Sequence, residues 1–254
     1  MTGLTQAGLK LAGRAGVVTG AGGGIGRALA VRAARAGLRP AICDVSAAGL
    51  AETERLVAEF GVPAVSAVVD VRRSDHLAAF AERVDGAIAL VFANAGVLRP
   101  GAVADQPIED LRLMLEVNVI GVVQTVQAFL PRLKAQAEPS RIVITGSQAS
   151  FLPYPDLGGY CAGKHALAAL AAALSAELAA QDAPVAVSLL APGAVATGIF
   201  GAQASPNLAT SLSPDAVADL VFDAIARDVQ LISTHPGLAD KLDARVAALK
   251  AQMG

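Results

Sequence analysis

The sequence predicts an α/β fold built as one parallel sheet with helices on both of its faces. Two observations carry this prediction. Short, continuously apolar runs alternate with helical patterns along the chain, and strands that are apolar at every position are typical of parallel sheets covered on both faces. In addition, the 254 residues include 54% hydrophobic and only 17% charged side chains, which suits a large core and excludes intrinsic disorder.

Each element is placed where its apolar pattern begins and ends. The predicted strands are residues 15–19, 40–44, 64–70, 87–94, 141–145, 184–190 and 229–233. The predicted helices are residues 25–36, 46–60, 74–84, 108–133, 160–181, 213–227 and 238–253. Ser74 suits a helix N-cap, and Ser213 followed by Pro214 is a favoured way to begin a helix. The alternation predicts a sheet of about seven strands.

The composition also excludes several classes of function. A net charge of −2 argues against a role on nucleic acids or membrane surfaces that is driven by charge. The longest stretch without a charged residue, 183–214, is interrupted by prolines and glycines, and no secretory signal is visible. Cys43 and Cys161 form no CxxC pair, and the three histidines add no ligand spacing. We therefore expect no metal site, no membrane span and a cytoplasmic location.

A glycine-rich turn joins the first strand to the first helix. It reads Thr19-Gly20-Ala21-Gly22-Gly23-Gly24-Ile25-Gly26. Glycines allow the backbone to approach a pyrophosphate, and the following helix N-terminus supplies N–H donors and a positive dipole. The position in the first βα unit favours a dinucleotide site of the Rossmann type over a merely structural turn.

Asp44 ends the second predicted strand, 18 residues after Gly26. An acid at this place can accept hydrogen bonds from the adenosine ribose of NAD, and it repels the 2′-phosphate of NADP. NAD is therefore the expected cofactor, and NADP is disfavoured. The alternative is an ordinary strand-end aspartate that caps the next helix.

Four polar residues form a candidate catalytic group. Tyr160 and Lys164 lie four apart on one helix face, and a nearby cation lowers the pKa of a phenol. Ser147 follows the strand 141–145 at its carboxyl end, where parallel sheets bind ligands. Asn118 lies among apolar neighbours within a predicted helix, so its amide is expected to be buried and to need partners. The alternatives are a surface Tyr–Lys pair and a helix irregularity satisfied by water.

With these motifs together, the sequence resembles the short-chain dehydrogenase/reductase family, in its compact form of roughly 250 residues. The resemblance runs from Gly13 to the last helix, which implies a single catalytic domain over residues 1–254. The matching motifs are Thr19-Gly20-x-x-x-Gly24-x-Gly26, Asp70-Val71, Asn94-Ala95-Gly96, Asn118-Val119-x-Gly121, Ser147, Tyr160-x-x-x-Lys164 and Pro192-Gly193-x-Val195-x-Thr197. Ala93, where relatives often carry Asn, and Gly163, where many carry Ser, depart from the common pattern.

The resemblance implies a role for each motif. Tyr160 would be the general acid/base, Ser147 would orient the substrate oxygen, and Lys164 would lower the Tyr160 pKa and hold the nicotinamide ribose. Asn118 would anchor a water that links Lys164 to solvent. The implied cofactor contacts are Thr19, Gly20, Gly24, Ile25, Gly26, Asp44, Asp70, Val71, Asn94, Ala95, Gly96, Tyr160, Lys164, Pro192, Gly193, Val195 and Thr197.

The substrate pocket is predicted from residues that flank these motifs. The candidates are Leu98, Gln148, Phe151, Tyr154 and Phe200, together with a mobile loop at about 192–212. They are mostly apolar, and Arg99 is the only base recognised near them, so a neutral alcohol or ketone is expected. His235 is interpreted as a loop cap, with a place in the pocket wall as the alternative, and His165 as a structural or interfacial residue. A 3-oxoacyl-carrier-protein reductase and a non-catalytic NAD-binding module remain alternatives.

The helix predicted at 160–181 is apolar nearly all round. A helix of this kind is buried on more than one side, and the sheet covers only one. We therefore expect a second subunit against it, in a homotetramer or homodimer.

Overall fold

A computed structural model describes residues 9–200 and 211–253, and its centre is a seven-stranded sheet with every strand parallel. The strands are β1 (Ala15–Thr19), β2 (Arg39–Asp44), β3 (Val65–Val68), β4 (Ile88–Ala93), β5 (Ser140–Thr145), β6 (Val185–Ala191) and β7 (Leu231–Ser233). Their spatial order is β3-β2-β1-β4-β5-β6-β7. The predicted doubly wound parallel sheet is confirmed.

Eight α-helices connect or follow these strands in the described part of the chain. They are α1 (Gly24–Arg35), α2 (Ala47–Ala58), α3 (Ser74–Glu82), α4 (Ile108–Leu115), α5 (Gly121–Ala135), α6 (Gly158–Ala180), α7 (Pro214–Ala226) and α8 (Leu238–Gln252). The side chains of Ser46 and Ser213 accept hydrogen bonds from the first turns of α2 and α7, as N-caps do.

The strand order reverses beside β1, and this reversal creates the ligand-binding cleft. β1 pairs with β2 on one side and with β4 on the other. The connections from β1 and from β4 therefore run in opposite directions, and a crevice opens at the carboxyl ends of these two strands. The glycine-rich turn and the motif at Asn94 both lie at that edge.

Two apolar layers cover the two faces of the sheet. Successive residues of β1 point to opposite faces, so that Val17 packs with α3, α5 and α6 while Val18 packs with α1, α2 and α7. Both valines are fully buried. This double cover explains why the strands are apolar at consecutive positions rather than at alternate ones.

The long helix predicted at 108–133 is divided in the structure. α4 ends at Leu115, a π-helical turn covers Glu116–Ile120, and α5 begins at Gly121. The combined stretch Ile108–Ala135 is the one described helix that is long and apolar enough to cross a membrane. Core helices pass the same test of length and composition, and α5 packs against β4, β5 and α3.

Candidate active site

The cleft contains two adjoining cavities. The first, of about 490 Å³, extends along the carboxyl ends of β1, β2 and β4, and we call it the cofactor cavity. The second, of about 630 Å³, lies beyond β5, β6 and β7, and we call it the substrate cavity. The residues that line both are Ile25, Tyr160, Pro192, Thr197 and Ile199. Tyr160 therefore stands where the two cavities meet.

The glycine-rich turn is packed too closely to carry side chains at two positions. Gly20 has φ of +67°, and a Cβ there would lie 2.7 Å from Cα of Ala95. A Cβ on Gly26 would lie 1.9 Å from the carbonyl oxygen of Gly20. No side chain caps the first turn of α1. The free N–H groups of this first turn, together with the glycine-rich backbone before it, fit the pyrophosphate of a dinucleotide.

Gly26→Ala is expected to distort this turn, because the new methyl group overlaps the Gly20 carbonyl. Overpacking of this kind costs about 1–3 kcal/mol of stability, and NADH affinity should fall at least about tenfold, since the phosphate-binding amides shift. Calorimetric titration with NADH and thermal unfolding measure the two effects. Gly23→Ala is the matched control for stability, because Gly23 has an extended backbone and no atom lies within 4 Å of its added Cβ. Equal losses of stability in both variants would contradict this account.

Asp44 ends β2 at the wall of the cofactor cavity. Its carboxylate lines the cofactor cavity, and its oxygens accept hydrogen bonds of 2.8 Å from the backbone N–H groups of Gly22 and Ser46. Arg27 donates to the carbonyl oxygen of Gly22 but does not line the cavity. The Asp44 carboxylate is therefore held rigidly at the end of β2.

A second acid lies further along the same cavity. Asp70 pairs with Arg72, and the hydrogen bond from that guanidinium holds the pKa of Asp70 below its usual range. Asp70, Val71 and Arg72 all line the cavity. Arg72 was not predicted from the sequence, although its spacing of two residues from Asp70 in a loop is a signal for such a pair.

Thr19 and Asn94 hold strand ends together. The Thr19 hydroxyl accepts hydrogen bonds from the N–H groups of Asn94 and Ala95 and donates to the carbonyl oxygen of Phe92. The Asn94 amide donates to the Thr19 carbonyl and accepts from the Thr145 hydroxyl. Asn94 lines the cofactor cavity, but Thr19 is buried and does not. The expectation that Thr19 contacts the cofactor is corrected to a structural role.

Tyr160 and Lys164 are both buried on the side of α6 that faces the cleft. The Lys164 Nζ donates a 2.7 Å hydrogen bond to the carbonyl oxygen of Thr145 and lies 5.5 Å from the centre of the Tyr160 ring. Burial raises the pKa of Tyr160 to about 12, and a side-chain hydrogen bond with Ser147 opposes that shift. Burial lowers the pKa of Lys164 to about 8. The three side chains predicted for catalysis are thus brought together.

Asn118 is fully buried in the π-helical turn. Its Oδ1 accepts a 2.7 Å hydrogen bond from the N–H of Val97, and its Nδ2 donates over 2.8 Å to the carbonyl of the same residue. The amide therefore holds the chain after β4 against the helix. The water-anchoring role stays a prediction.

The substrate cavity contains three of the five predicted pocket residues, Leu98, Gln148 and Tyr154. Phe151 does not line it and packs instead with the core beside Leu152, so that prediction is corrected. The side chain of Phe200 and residues 201–210 of the predicted loop lie outside the described part of the chain.

The motif after β6 lies where the two cavities adjoin. Gly193 and Val195 line the second cavity, while Pro192 and Thr197 line both. The predicted contact of this motif with the cofactor stays a prediction.

His235 and Lys241 line the substrate cavity. His235 follows β7, and its Nδ1 lies 3.1 Å from the N–H of Gly193, so it holds the loop as expected and also takes the alternative place in the cavity wall. Lys241 was not predicted, because it lies more than 70 residues beyond Tyr160 and reaches the site only through the pairing of β6 with β7.

The fold and the site define a nucleotide-binding α/β protein with a Ser–Tyr–Lys group beside its cofactor cleft. The family profile described as "short chain dehydrogenase" matches residues 14–207. The chain belongs to this short-chain dehydrogenase/reductase family.

Individual relatives agree with this assignment. The chain is 35% identical over 186 residues to 1-deoxy-11-beta-hydroxypentalenate dehydrogenase of Streptomyces avermitilis, covering 71% of this chain and 68% of that protein. It spans only 31% of the length of the mycobacterial proteins described as probable oxidoreductase EphD, at 37% identity over 185 residues.

Solved structures extend the similarity to nearly the whole chain. A short-chain dehydrogenase/reductase from Burkholderia phymatum in complex with NAD is 31% identical, with a TM-score of 0.89 and 96% of both chains covered. An alcohol dehydrogenase from Thermococcus sibiricus complexed with 5-hydroxy-NADP is also 31% identical, with a TM-score of 0.78 over 87% of this chain and 94% of that one.

Proposed function

We propose that this protein is an NAD-dependent oxidoreductase that interconverts a secondary alcohol and a ketone. The observation that carries the proposal is the position of Tyr160, which lines both cavities while Ser147 lines the substrate cavity and Lys164 the cofactor cavity. A reacting carbon at the junction would lie beside a proton donor and a cofactor at once. Relatives named for hydroxypentalenate and for alcohol oxidation support this chemistry.

The residues would divide the reaction among them. A bound nicotinamide supplies the hydride acceptor or donor. Gly20, Gly24 and Gly26 would hold its pyrophosphate, and Asp44 its adenosine ribose. Tyr160 would exchange a proton with the substrate oxygen, and Ser147 would hold that oxygen by a hydrogen bond. The remaining proposed cofactor contacts in the cofactor cavity are Ile25, Asp70, Val71, Asn94, Ala95, Gly96, Lys164, Pro192 and Thr197.

Lys164 would help the Tyr160 phenol to ionise. Burial opposes ionisation of the phenol, since it raises the pKa to about 12. An ammonium group beside the ring favours the charged phenol, and Lys164 is the cation that α6 places there. Its Nζ is itself fixed by the Thr145 carbonyl, which keeps the charge in place through the reaction.

Asp44 supports a preference for NADH over NADPH, because its carboxylate would face the 2′-phosphate. We expect Asp44→Ser to raise the ratio of kcat/KM for NADPH to that for NADH by about 10- to 100-fold, since a like-charge contact costs several kcal/mol. Steady-state kinetics with both cofactors measures the ratio. Asp75→Ser removes an exposed acid paired with Arg73 and is the matched control. Tighter binding of NADPH by the unmodified protein would overturn this preference.

The substrate is proposed to have a mainly apolar body. Apolar side chains form most of the cavity wall, among them Leu98, Leu157, Ile199 and Leu212. A neutral substrate was expected because Arg99 was the only base recognised near the pocket. Lys241 also lines the cavity, so that argument for a neutral substrate no longer holds.

A panel of secondary alcohols and ketones tests the proposed function directly. The purified protein is mixed with NAD and each alcohol, or with NADH and each ketone, and the nicotinamide absorbance is followed. Turnover in both directions on at least one alcohol–ketone pair is expected. Cofactor binding without any turnover across aliphatic, cyclic and aromatic pairs would favour the non-catalytic alternative.

We also infer a homo-oligomer from the outer side of α6. The exposed residues in the middle of this helix are Ala169, Leu170, Ala172, Ala173 and Ala176, and Glu177 is the only acid in it. An apolar helix face of this kind is typical of subunit interfaces. Light scattering at micromolar protein concentration should report a dimer or tetramer, and a monomer would contradict the inference.

A cytoplasmic location is proposed as well. Both cysteines are free and buried, and burial raises the pKa of the Cys43 thiol far above its usual range. Neither thiol depends on an oxidising compartment.

A further inference from the structure

The wall of the substrate cavity contains a side-chain amide. Gln148 follows Ser147 directly and lines this cavity, but it does not line the cofactor cavity. It is the only asparagine or glutamine among the described residues that form the wall, most of which is apolar. Gln148 is only 7% exposed. An amide that is buried to this extent needs hydrogen-bond partners.

The described part of the chain does not supply those partners. The backbone of Gln148 is satisfied, because its N–H donates a 2.9 Å hydrogen bond to the carbonyl of Pro192 and its carbonyl accepts from Phe151 and Leu152. Its side-chain Oε1 and Nε2 form no hydrogen bond within residues 9–200 and 211–253. Neither atom is among the unpartnered side-chain atoms of those residues that are closed to solvent, so both retain accessible surface. On a residue so deeply buried, that surface opens into the cavity that the residue lines.

The backbone that carries this amide is held in place. Gln148 begins a short 3₁₀ turn that packs against α6. Ser147 caps this turn, since its Oγ accepts a 3.1 Å hydrogen bond from the N–H of Ala149, while the Ser150 Oγ accepts one of 3.1 Å from the N–H of Ser147. Consecutive Cα atoms are ~3.8 Å apart. The amide is therefore tethered beside the hydroxyl that would hold the reacting oxygen of the substrate.

A neutral hydroxyl group matches what this amide offers. The Nε2 of Gln148 carries two N–H donors and the Oε1 is an acceptor, without a net charge. A hydroxyl group can use both ends, since it donates one hydrogen bond and accepts others. A ligand without such a group would leave the amide unpaired in a wall that is mostly apolar, which costs binding energy. Because Gln148 adjoins Ser147, the matching group would lie close to the reacting carbon.

We propose that the substrate carries a second oxygen, a neutral hydroxyl group within two carbons of the reacting carbon, and that the Gln148 amide binds it. The substrate class is then a hydroxy ketone and the corresponding diol. In the reduction, the carbonyl carbon receives a hydride from NADH and its oxygen receives a proton from Tyr160, while the second oxygen is unchanged. This inference rests on the proposed function for the reacting group. Its own basis is the unpartnered amide in the cavity wall.

Matched ketones measure the contribution of the second oxygen. Each hydroxy ketone is compared with the ketone in which a methyl group of similar size replaces the hydroxyl. The pairs are 2-hydroxycyclohexanone with 2-methylcyclohexanone, α-hydroxyacetophenone with propiophenone, and 4-hydroxy-2-butanone with 2-pentanone. The readout is the ratio of kcat/KM with NADH for the hydroxy ketone to that for its methyl analogue. Because a hydroxyl group also alters the reactivity of the carbonyl, this ratio is compared between variants of the protein.

Gln148→Met should lower the ratio about tenfold for at least one pair, because a thioether has nearly the length of the amide but is only a weak acceptor. The kcat/KM for the methyl analogue should be retained or rise, which separates loss of this contact from loss of the fold. Gln127→Met, which replaces an exposed glutamine of α5 that lines neither cavity, is the matched control. A ratio that is unchanged in Gln148→Met for every pair, or an equal fall for both ketones of each pair, would overturn the proposal.

Calorimetric titration of α-hydroxyacetophenone and propiophenone into the protein with NAD, where the carbonyl cannot be reduced, separates the two proposals. Tighter binding of the hydroxy ketone that depends on Gln148, without turnover of any ketone with NADH, would support the hydroxyl site and contradict the proposed function. Turnover with the same ratio in the unmodified protein and in Gln148→Met would support the function and contradict the hydroxyl site. Neither binding nor turnover of any of these ketones would contradict both.

Discussion

Replacing Tyr160 with Phe is expected to reduce kcat by about 10²- to 10⁴-fold, the range in which a general acid or base contributes. The variant loses only the hydroxyl that would exchange a proton with the substrate oxygen. The ring remains and still packs beneath Lys164, so the affinity for NADH should change little. Stopped-flow measurement of the first turnover, together with calorimetric titration of NADH, distinguishes loss of chemistry from loss of cofactor.

Tyr154→Phe provides the matched comparison for this result. Tyr154 is the only other tyrosine, and it lines the substrate cavity without lining the cofactor cavity. Its variant should lose far less activity than Tyr160→Phe. If the two variants lose the same activity, or if Tyr160→Phe retains the kcat of the unmodified protein, the assigned role is wrong.

Replacing Lys164 with Met is expected to reduce activity and to change the pH dependence of stability. A neighbouring cation shifts a phenol pKa by about 1–3 units, so kcat near neutral pH should fall about 10- to 10³-fold. The burial that lowers the Lys164 pKa to about 8, from 10.5 in the unfolded chain, also has a thermodynamic consequence. Between these two pH values the unfolded chain binds more protons at this residue than the folded one does.

Stability therefore rises with pH through this interval in the unmodified protein, and the rise is absent in Lys164→Met. The free energy of unfolding of the unmodified protein should gain about 2–3 kcal/mol over that of the variant between pH 8 and pH 10.5. Tyr160 acts in the opposite direction only above pH 10, since burial raises its pKa, and it is present in both proteins.

Urea unfolding of the cofactor-free protein at several pH values measures this difference. Lys250→Met, which removes an exposed lysine, should follow the unmodified protein at every pH. A constant difference between the unmodified protein and Lys164→Met across the interval would show that the Lys164 pKa is not lowered by folding.

Local sequence patterns were sufficient to predict the buried strands and the glycine-rich turn of the site. Consecutive apolar residues in β1 and β4 indicated strands covered on both faces, because an exposed face would require polar residues at alternate positions. The glycines at 20, 24 and 26 indicated a sharp turn whose backbone can approach a ligand closely, because glycine has no side chain in the way. These features depend on residues that are adjacent in the sequence.

The division of the long helix could not be predicted in the same way. Its apolar pattern continues through Glu116–Ile120, and a π-helical turn adds one residue without interrupting that pattern. Within this turn the Asn118 amide pairs with both polar backbone groups of Val97, and those groups come from the chain after β4. Val97 lies 21 residues from Asn118, so this pairing does not alter the spacing of apolar residues along the helix.

The sequence by itself determined the fold class, the glycine-rich turn and the placing of Tyr160 and Lys164 on one helix face, since each depends on a short motif whose geometry is local. Only the tertiary structure decided which side chains close the substrate cavity. His235 and Lys241 reach it because β7 pairs with β6 and α8 begins at that edge, whereas Phe151 turns into the core although it lies four residues from Ser147. Sequence spacing specifies the face of one element, and contacts between distant elements depend on how the whole sheet is packed.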